Sequence, residues 1–109
     1  KLTISVPESI KVLDKEYPVS VDEDEYTTDE GRYYPPTIEY GGDLPVAIPD
    51  TDGEPRWFTL RLEYQKDKEM FYIVLELDGR KIAMDNFFAE DGTACLMIDR
   101  FVETLEGCL

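Results

Sequence analysis

The sequence predicts an α+β fold: an antiparallel β-sheet with one C-terminal helix packed on it, interrupted by a long acidic Pro/Gly-rich excursion. Three observations predict it. Apolar and polar residues alternate from Phe58 to Tyr64, the period of a half-buried strand, and two further strand-like segments follow. Residues 94 to 105 instead place apolar side chains three and four apart, the period of a helix with one buried stripe. Strands and helix are segregated along the chain, which separates α+β from alternating βαβ folds. A length of 109 residues fits one domain, 1–109, and an apolar content of 42% is too high for a disordered chain.

From the N-terminus, Leu2 to Val6 alternate as a half-buried strand that Pro7 ends. Ile10 and Val12 continue the alternation, Asp14-Lys15 turns the chain, and Tyr17, Val19 and Val21 share one face. Pro18 has no N–H for a ladder and confines this last segment to an edge or a bulge. Residues 22 to 56 are predicted as the excursion, because five prolines and four glycines break every periodicity. Short extended pieces fit Thr37 to Tyr40 and Leu44 to Ile48. From Trp57, Phe58, Leu60, Leu62 and Tyr64 point one way. Gln65 to Glu69 is a polar turn. Met70 to Leu77 is apolar on both faces except at Glu76, as in a central strand covered on both sides. Asp78-Gly79 predicts a type I′ hairpin, which needs positive φ at both positions, with Arg80 to Met84 as the return strand. Thr93 is predicted to cap the helix, and Gly107 to take the left-handed position just past its end.

The charge is the strongest functional signal. The chain carries -14, and residues 22 to 54 hold eleven carboxylates against one cation, Arg32. The first 21 residues sum to zero. So one-sided a field repels nucleic acid and anionic membrane and attracts basic protein surfaces. No apolar run reaches the roughly 18 residues of a membrane helix. Cys95 and Cys108 are too few for a disulfide scaffold and, about 20 Å apart along a helix, too far to bridge. Two free thiols fit a reducing compartment, hence the cytoplasm.

Catalytic and metal signatures are missing. There is no histidine, which removes the usual general base and the usual zinc ligand, and there is no glycine-rich phosphate loop. Asp50-x-Asp52-Gly53-Glu54 opens like a calcium loop. It lacks a third ligand before the glycine and the later bidentate Glu, and reads as a glycine turn with solvated acids. No enzyme activity, metal or cofactor is expected.

The expected site is a partner-binding surface. Asp22, Glu23, Asp24, Glu25, Asp29 and Glu30 supply steering and a repulsive filter against wrong partners. Tyr26, Tyr33 and Tyr34 supply contact area among them, and Trp57 is a further aromatic anchor. Trp57 alternates away from Phe58 and Leu60, on the sheet face that the excursion is expected to cover. In charge and size alone the chain resembles two kinds of small acidic inhibitor: immunity proteins that neutralise basic nucleases, and proteins that mimic DNA to block nucleic-acid enzymes. The resemblance implies a basic protein partner, a nuclease or nucleic-acid enzyme, and no direct nucleic-acid or membrane contact. A structural or accessory domain of a larger assembly, with its acidity serving solubility, is the competing expectation.

Overall fold

Alternation and turn chemistry produce nine strands among the described residues. They are β1 (Ser9–Val12), β2 (Lys15–Pro18), β3 (Ser20–Asp22), β4 (Tyr26–Thr27), β5 (Tyr33–Tyr34), β6 (Thr37–Ala47), β7 (Pro55–Gln65), β8 (Met70–Leu77) and β9 (Arg80–Phe88), followed by helix α1 (Thr93–Gly107). The computed structural model describes residues 4–49, 51–65 and 67–109. All pairings are antiparallel. The main sheet runs β3-β6-β7-β8-β9, and β1-β2 and β4-β5 form two small hairpins. The class is α+β, with the helix packed on one face of the sheet. Among the described residues no helix is long and apolar enough to cross a membrane.

Register places Ile38 and Tyr40 of β6 beside Leu62 and Leu60 of β7, and these beside Ile73 and Leu75 of β8. All six are buried. Ala94, Met97, Ile98, Phe101 and Leu105 of α1 complete this core from above, joined by Ile10, Val12 and Tyr17 of the first hairpin. Each large apolar side chain so buried contributes about 1.5–3 kcal/mol.

Asp78 and Gly79 take φ of 53° and 81°, the predicted two-residue turn. Asp78 also ties the turn to β7. Its Oδ1 accepts from the Trp57 N–H at 3.1 Å, and its Oδ2 pairs with Arg56 at 3.0 Å.

The structure departs from the sequence reading in several places. Leu2 and Thr3 lie outside the described residues, and Ile4 to Val6 form no strand. Ile4 and Val6 still pack against the core, so their alternation reflects burial without a strand partner. The first turn is Leu13-Asp14, with φ of 48° and 66°, one residue earlier than expected. Thr93 is the first helical residue, not the cap. Gly92 precedes it at φ 80°, and no side chain caps the helix. Gly107 ends the helix from within, and Cys108 is its cap.

The largest difference concerns residues 37 to 47. They form an 11-residue strand of the main sheet, paired continuously from Thr37↔Glu63 to Asp43↔Trp57. Its glycines mark close approach, not absence of structure. A Cβ on Gly41 would sit 2.6 Å from the Phe58 carbonyl oxygen. Gly42, at φ 149°, lies against the Tyr17 ring. Past Asp43 the register shifts, and the Pro45 region lies in that irregularity, where a missing ladder N–H is tolerated.

The opposite face of the sheet has no second layer among the described residues. Val74 is buried there beside its register neighbours Arg61 and Met84. Arg61 lies along this face and pairs with Glu63 at 2.8 Å.

Candidate functional site

Hydrogen bonds to Thr28 close a hairpin directly after the acidic run Asp22–Glu25. β4 and β5 pair through Tyr26↔Tyr34 and Thr27↔Tyr33. The Thr28 N–H donates to the Arg32 carbonyl at 2.8 Å, and the Thr28 carbonyl accepts from the Gly31 N–H at 2.9 Å. Thr28 Oγ1 accepts from the Arg32 N–H at 3.0 Å. Gly31, at φ 88°, supplies the left-handed residue this turn requires. Asp22 Oδ1 accepts from the Asp24 N–H at 3.0 Å and turns the chain out of β3. Asp22, Glu23, Asp24, Glu25, Asp29 and Glu30 are all exposed.

The tyrosines stiffen the hairpin. Tyr26 and Tyr34 stack with centroids 4.7 Å apart and planes 15° from parallel. The Arg32 guanidinium sits 4.8 Å from the Tyr34 ring centre. Contacts of these two kinds contribute about 0.5–1.5 kcal/mol each at exposed sites. The Tyr33 hydroxyl donates to Glu25 Oε2 at 2.6 Å. That bond first, then partial desolvation and the charges of Glu25 and Asp67, push the Tyr33 phenol up to about 12. Tyr33 is therefore a neutral donor at any ordinary pH.

A groove of about 750 Å³ separates this hairpin from the turn joining β7 to β8. Glu25, Tyr26, Thr27 and Tyr33 line one side, and Glu63, Tyr64, Gln65, Asp67 and Lys68 the other. Tyr64 is held in place by packing on Phe71 at 5.3 Å and by an N–H donated to the Pro36 carbonyl at 3.3 Å.

Nine of the ten expected site residues, those from Asp22 to Tyr34, lie along one segment, from the end of β3 through the β4–β5 hairpin. Trp57 is not among them. It lies eight residues from Gln65 along β7, roughly 26 Å away at strand rise. The excursion does not cover it either. Trp57 is 41% exposed, and its ring rests near Gly79, where an added Cβ would be 3.4 Å away. The far side of the groove was not expected from sequence, because Gln65 to Lys68 read only as a polar turn.

The remaining candidate features are simpler. Asp50 lies outside the described residues. Asp52 and Gly53 take positive φ in a turn closed by the Glu54 N–H to the Thr51 carbonyl, 3.2 Å. Among the described residues no group of three potential metal ligands comes together. Cys95 and Cys108 are both free. Comparison with protein-family models, curated proteins and solved structures finds no match.

Proposed function

We propose that this chain is a non-catalytic acidic binding protein that docks on a basic protein surface, one built to hold nucleic acid. The observation that carries the reading is the β4–β5 hairpin. Its turn carries exposed Asp29 and Glu30, and exposed Asp22, Glu23, Asp24 and Glu25 lead into it from β3, with the tyrosine faces beside them. Lysines and arginines that grip backbone phosphate grip carboxylates by the same electrostatics. Occupying that surface blocks its nucleic acid, which is inhibition without chemistry, as in immunity proteins and DNA mimics.

The test is capture of a partner from source-cell lysate by the wild-type chain and by a variant with Asp22, Asp24, Glu25 and Asp29 all changed to Lys. The wild type should retain a basic nucleic-acid-binding protein at low salt and release it as salt rises. The variant should fold and retain nothing. A variant that captures the same protein undiminished sinks the docking assignment.

A second reading is favoured by a separate observation. Trp57, Met84 and Phe88 share the sheet face away from the helix and are 41%, 55% and 59% exposed. An accessory domain of a larger assembly would bury that face, with the acidity serving solubility. Its partner would resist salt.

A further inference from the structure

We propose that two copies of this chain pair antiparallel along β9, joining their sheets edge to edge in a two-fold dimer. β9 is one edge of the five-stranded sheet and β3 is the other. The two edges are finished differently. β3 has three residues and runs into the acidic stretch, and both features discourage pairing. β9 has nine residues, seven of them exposed, and its one acid is Asp85. Among the described residues no strand pairs with its outer side. Two groups at its C-terminal end are already engaged. The Asn86 N–H donates to Asp85 Oδ1 at 2.8 Å, and the Phe88 carbonyl accepts from the Glu90 N–H at 2.8 Å. The part that a new strand can join is therefore Arg80 to Asp85. Exposed apolar side chains stand on the same strand. Ile82, Met84 and Phe88 are 38%, 55% and 59% exposed, and a bulge leaves Ile82 without a register partner on β8. An open ladder beside exposed apolar side chains is the form in which one chain templates a strand of another.

Charge selects a second copy as the occupant. β9 sets two cations, Arg80 and Lys81, against Asp85, in a chain that carries -14 overall. A basic partner of the kind that the acidic hairpin attracts is repelled at this end. Antiparallel pairing of β9 with itself instead brings the basic end of each copy to the acid of the other. A two-fold axis at Ala83, the smallest residue of the strand, sets Lys81 opposite the partner's Asp85 and Ile82 opposite the partner's Met84. The same register carries Phe88 to the partner's Asp78, next to the glycine on which the Trp57 ring rests. Position in the sheet favours the contact as well. Four strand spacings, about 19 Å, separate β9 from β3 and the acidic run that follows it. That is about two Debye lengths at physiological salt, so the acidic regions of the two copies are kept apart. Because the contact uses β9 in both copies, it closes at two.

Sedimentation equilibrium of the whole chain from about 10 µM to about 1 mM, at low and high salt, reads the association. The contact is small, so a dimer with Kd about 100 µM is expected. Raising the salt from about 0.05 to about 0.5 M should tighten it about threefold, because the two copies repel overall. Acidic docking responds to salt in the opposite sense. Met84→Lys should weaken the dimer at least about tenfold, since it sets a cation against the partner's Ile82 and Lys81 even though it lowers the negative charge of each copy. Leu96→Lys makes the same charge change on the helix, at a side chain 66% exposed, and should leave the dimer at full strength. Both positions are exposed, so the variants keep the fold, which circular dichroism checks. The emission of Trp57, the only tryptophan, should move to shorter wavelength along the same concentration curve. A chain that stays monomeric at both salts, species larger than a dimer, or a dimer that Met84→Lys leaves intact overturns the β9 assignment. Equal loss in Leu96→Lys overturns it too, and an emission that stays put while the mass doubles overturns the register about Ala83. β9 lies outside the acidic segment, so the lysate capture judges docking separately.

Discussion

The two small hairpins of this molecule share a plan and differ in what they bury. β1–β2 and β4–β5 are each a short antiparallel pair appended to the same five-stranded sheet, and each turns through residues of positive φ. Each carries tyrosine. In β1–β2, Tyr17 is buried against Phe58, ring centres 4.9 Å apart, and its hydroxyl donates to the Asp43 carbonyl at 2.6 Å. Ile10 and Val12 enter the core beside it. In β4–β5 none of Tyr26, Thr27, Tyr33 and Tyr34 is buried, and the tyrosines contact each other, Arg32 and Glu25. An aromatic residue on a hairpin is thus no sign of a core by itself. The charge around it decides. Residues 1–21 are net neutral, and Ile10, Val12 and Tyr17 among them fold inward, while six acids in residues 22–30 hold their hairpin in water.

The sharpest way to break the comparison is to truncate one tyrosine of each hairpin. Tyr17→Ala should destabilise the chain by about 3–5 kcal/mol in urea unfolding, because it empties a core site and removes a hydrogen bond. Tyr26→Ala should cost less than about 1 kcal/mol, a stacking contact at the surface. Comparable losses at the two positions would mean that β4–β5 is structural after all.

Next in size is Gly42→Ala. Its left-handed φ and the Tyr17 ring 3.4 Å from the added Cβ should cost about 1–3 kcal/mol. A neutral effect would show that β1–β2 is not pressed on β6.

Alkaline pH separates the tyrosines further. Burial first, and then the charge of Cys95, push the Tyr40 phenol up to about 12, and its hydroxyl donates to the Pro7 carbonyl at 2.6 Å. The folded state holds this proton more tightly than the unfolded chain, whose ordinary value is 10. The stability it contributes is therefore fully present below about pH 10 and is lost as pH rises through 12. Burial raises Tyr17 as well. Unfolding midpoints followed from pH 9 to 12 should fall, and Tyr40→Phe should flatten the fall. An unchanged slope in that variant would remove Tyr40 from the account.

The smallest expected effect is that of salt. Screening the acids of the second hairpin should raise the unfolding midpoint slightly in the wild type. It should raise it less in the chain with Asp22, Asp24, Glu25 and Asp29 changed to Lys. An equal rise in both chains would place the self-repulsion elsewhere.

Local signals were legible where the chain obeys one period. The Asp78-Gly79 turn, the alternation of β7 and the stripe of α1 follow from residues adjacent in sequence, and the structure has all three. Strand β6 was not legible. Gly41, Gly42 and Pro45 look like breakers, because the reason for them is Phe58 and Tyr17 pressing from other strands. The acidic and aromatic side of the groove could be read in residues 22 to 34. The Tyr64 to Lys68 side could not, since more than thirty residues separate it from Tyr26 in sequence.

By itself the sequence determined the charge and its asymmetry, the β7–β9 meander and the amphipathic helix. Each of these rests on composition or on the spacing of near neighbours. Only the tertiary structure decided that residues 37–47 join the sheet, that Trp57 stands at the far end of β7 from the acidic hairpin, and that this hairpin faces a groove. Those depend on strand pairings across long loops. Closing a loop costs entropy that the buried face of β6, with Ile38, Tyr40 and Leu44, must offset, and no short window of sequence contains both sides of that balance.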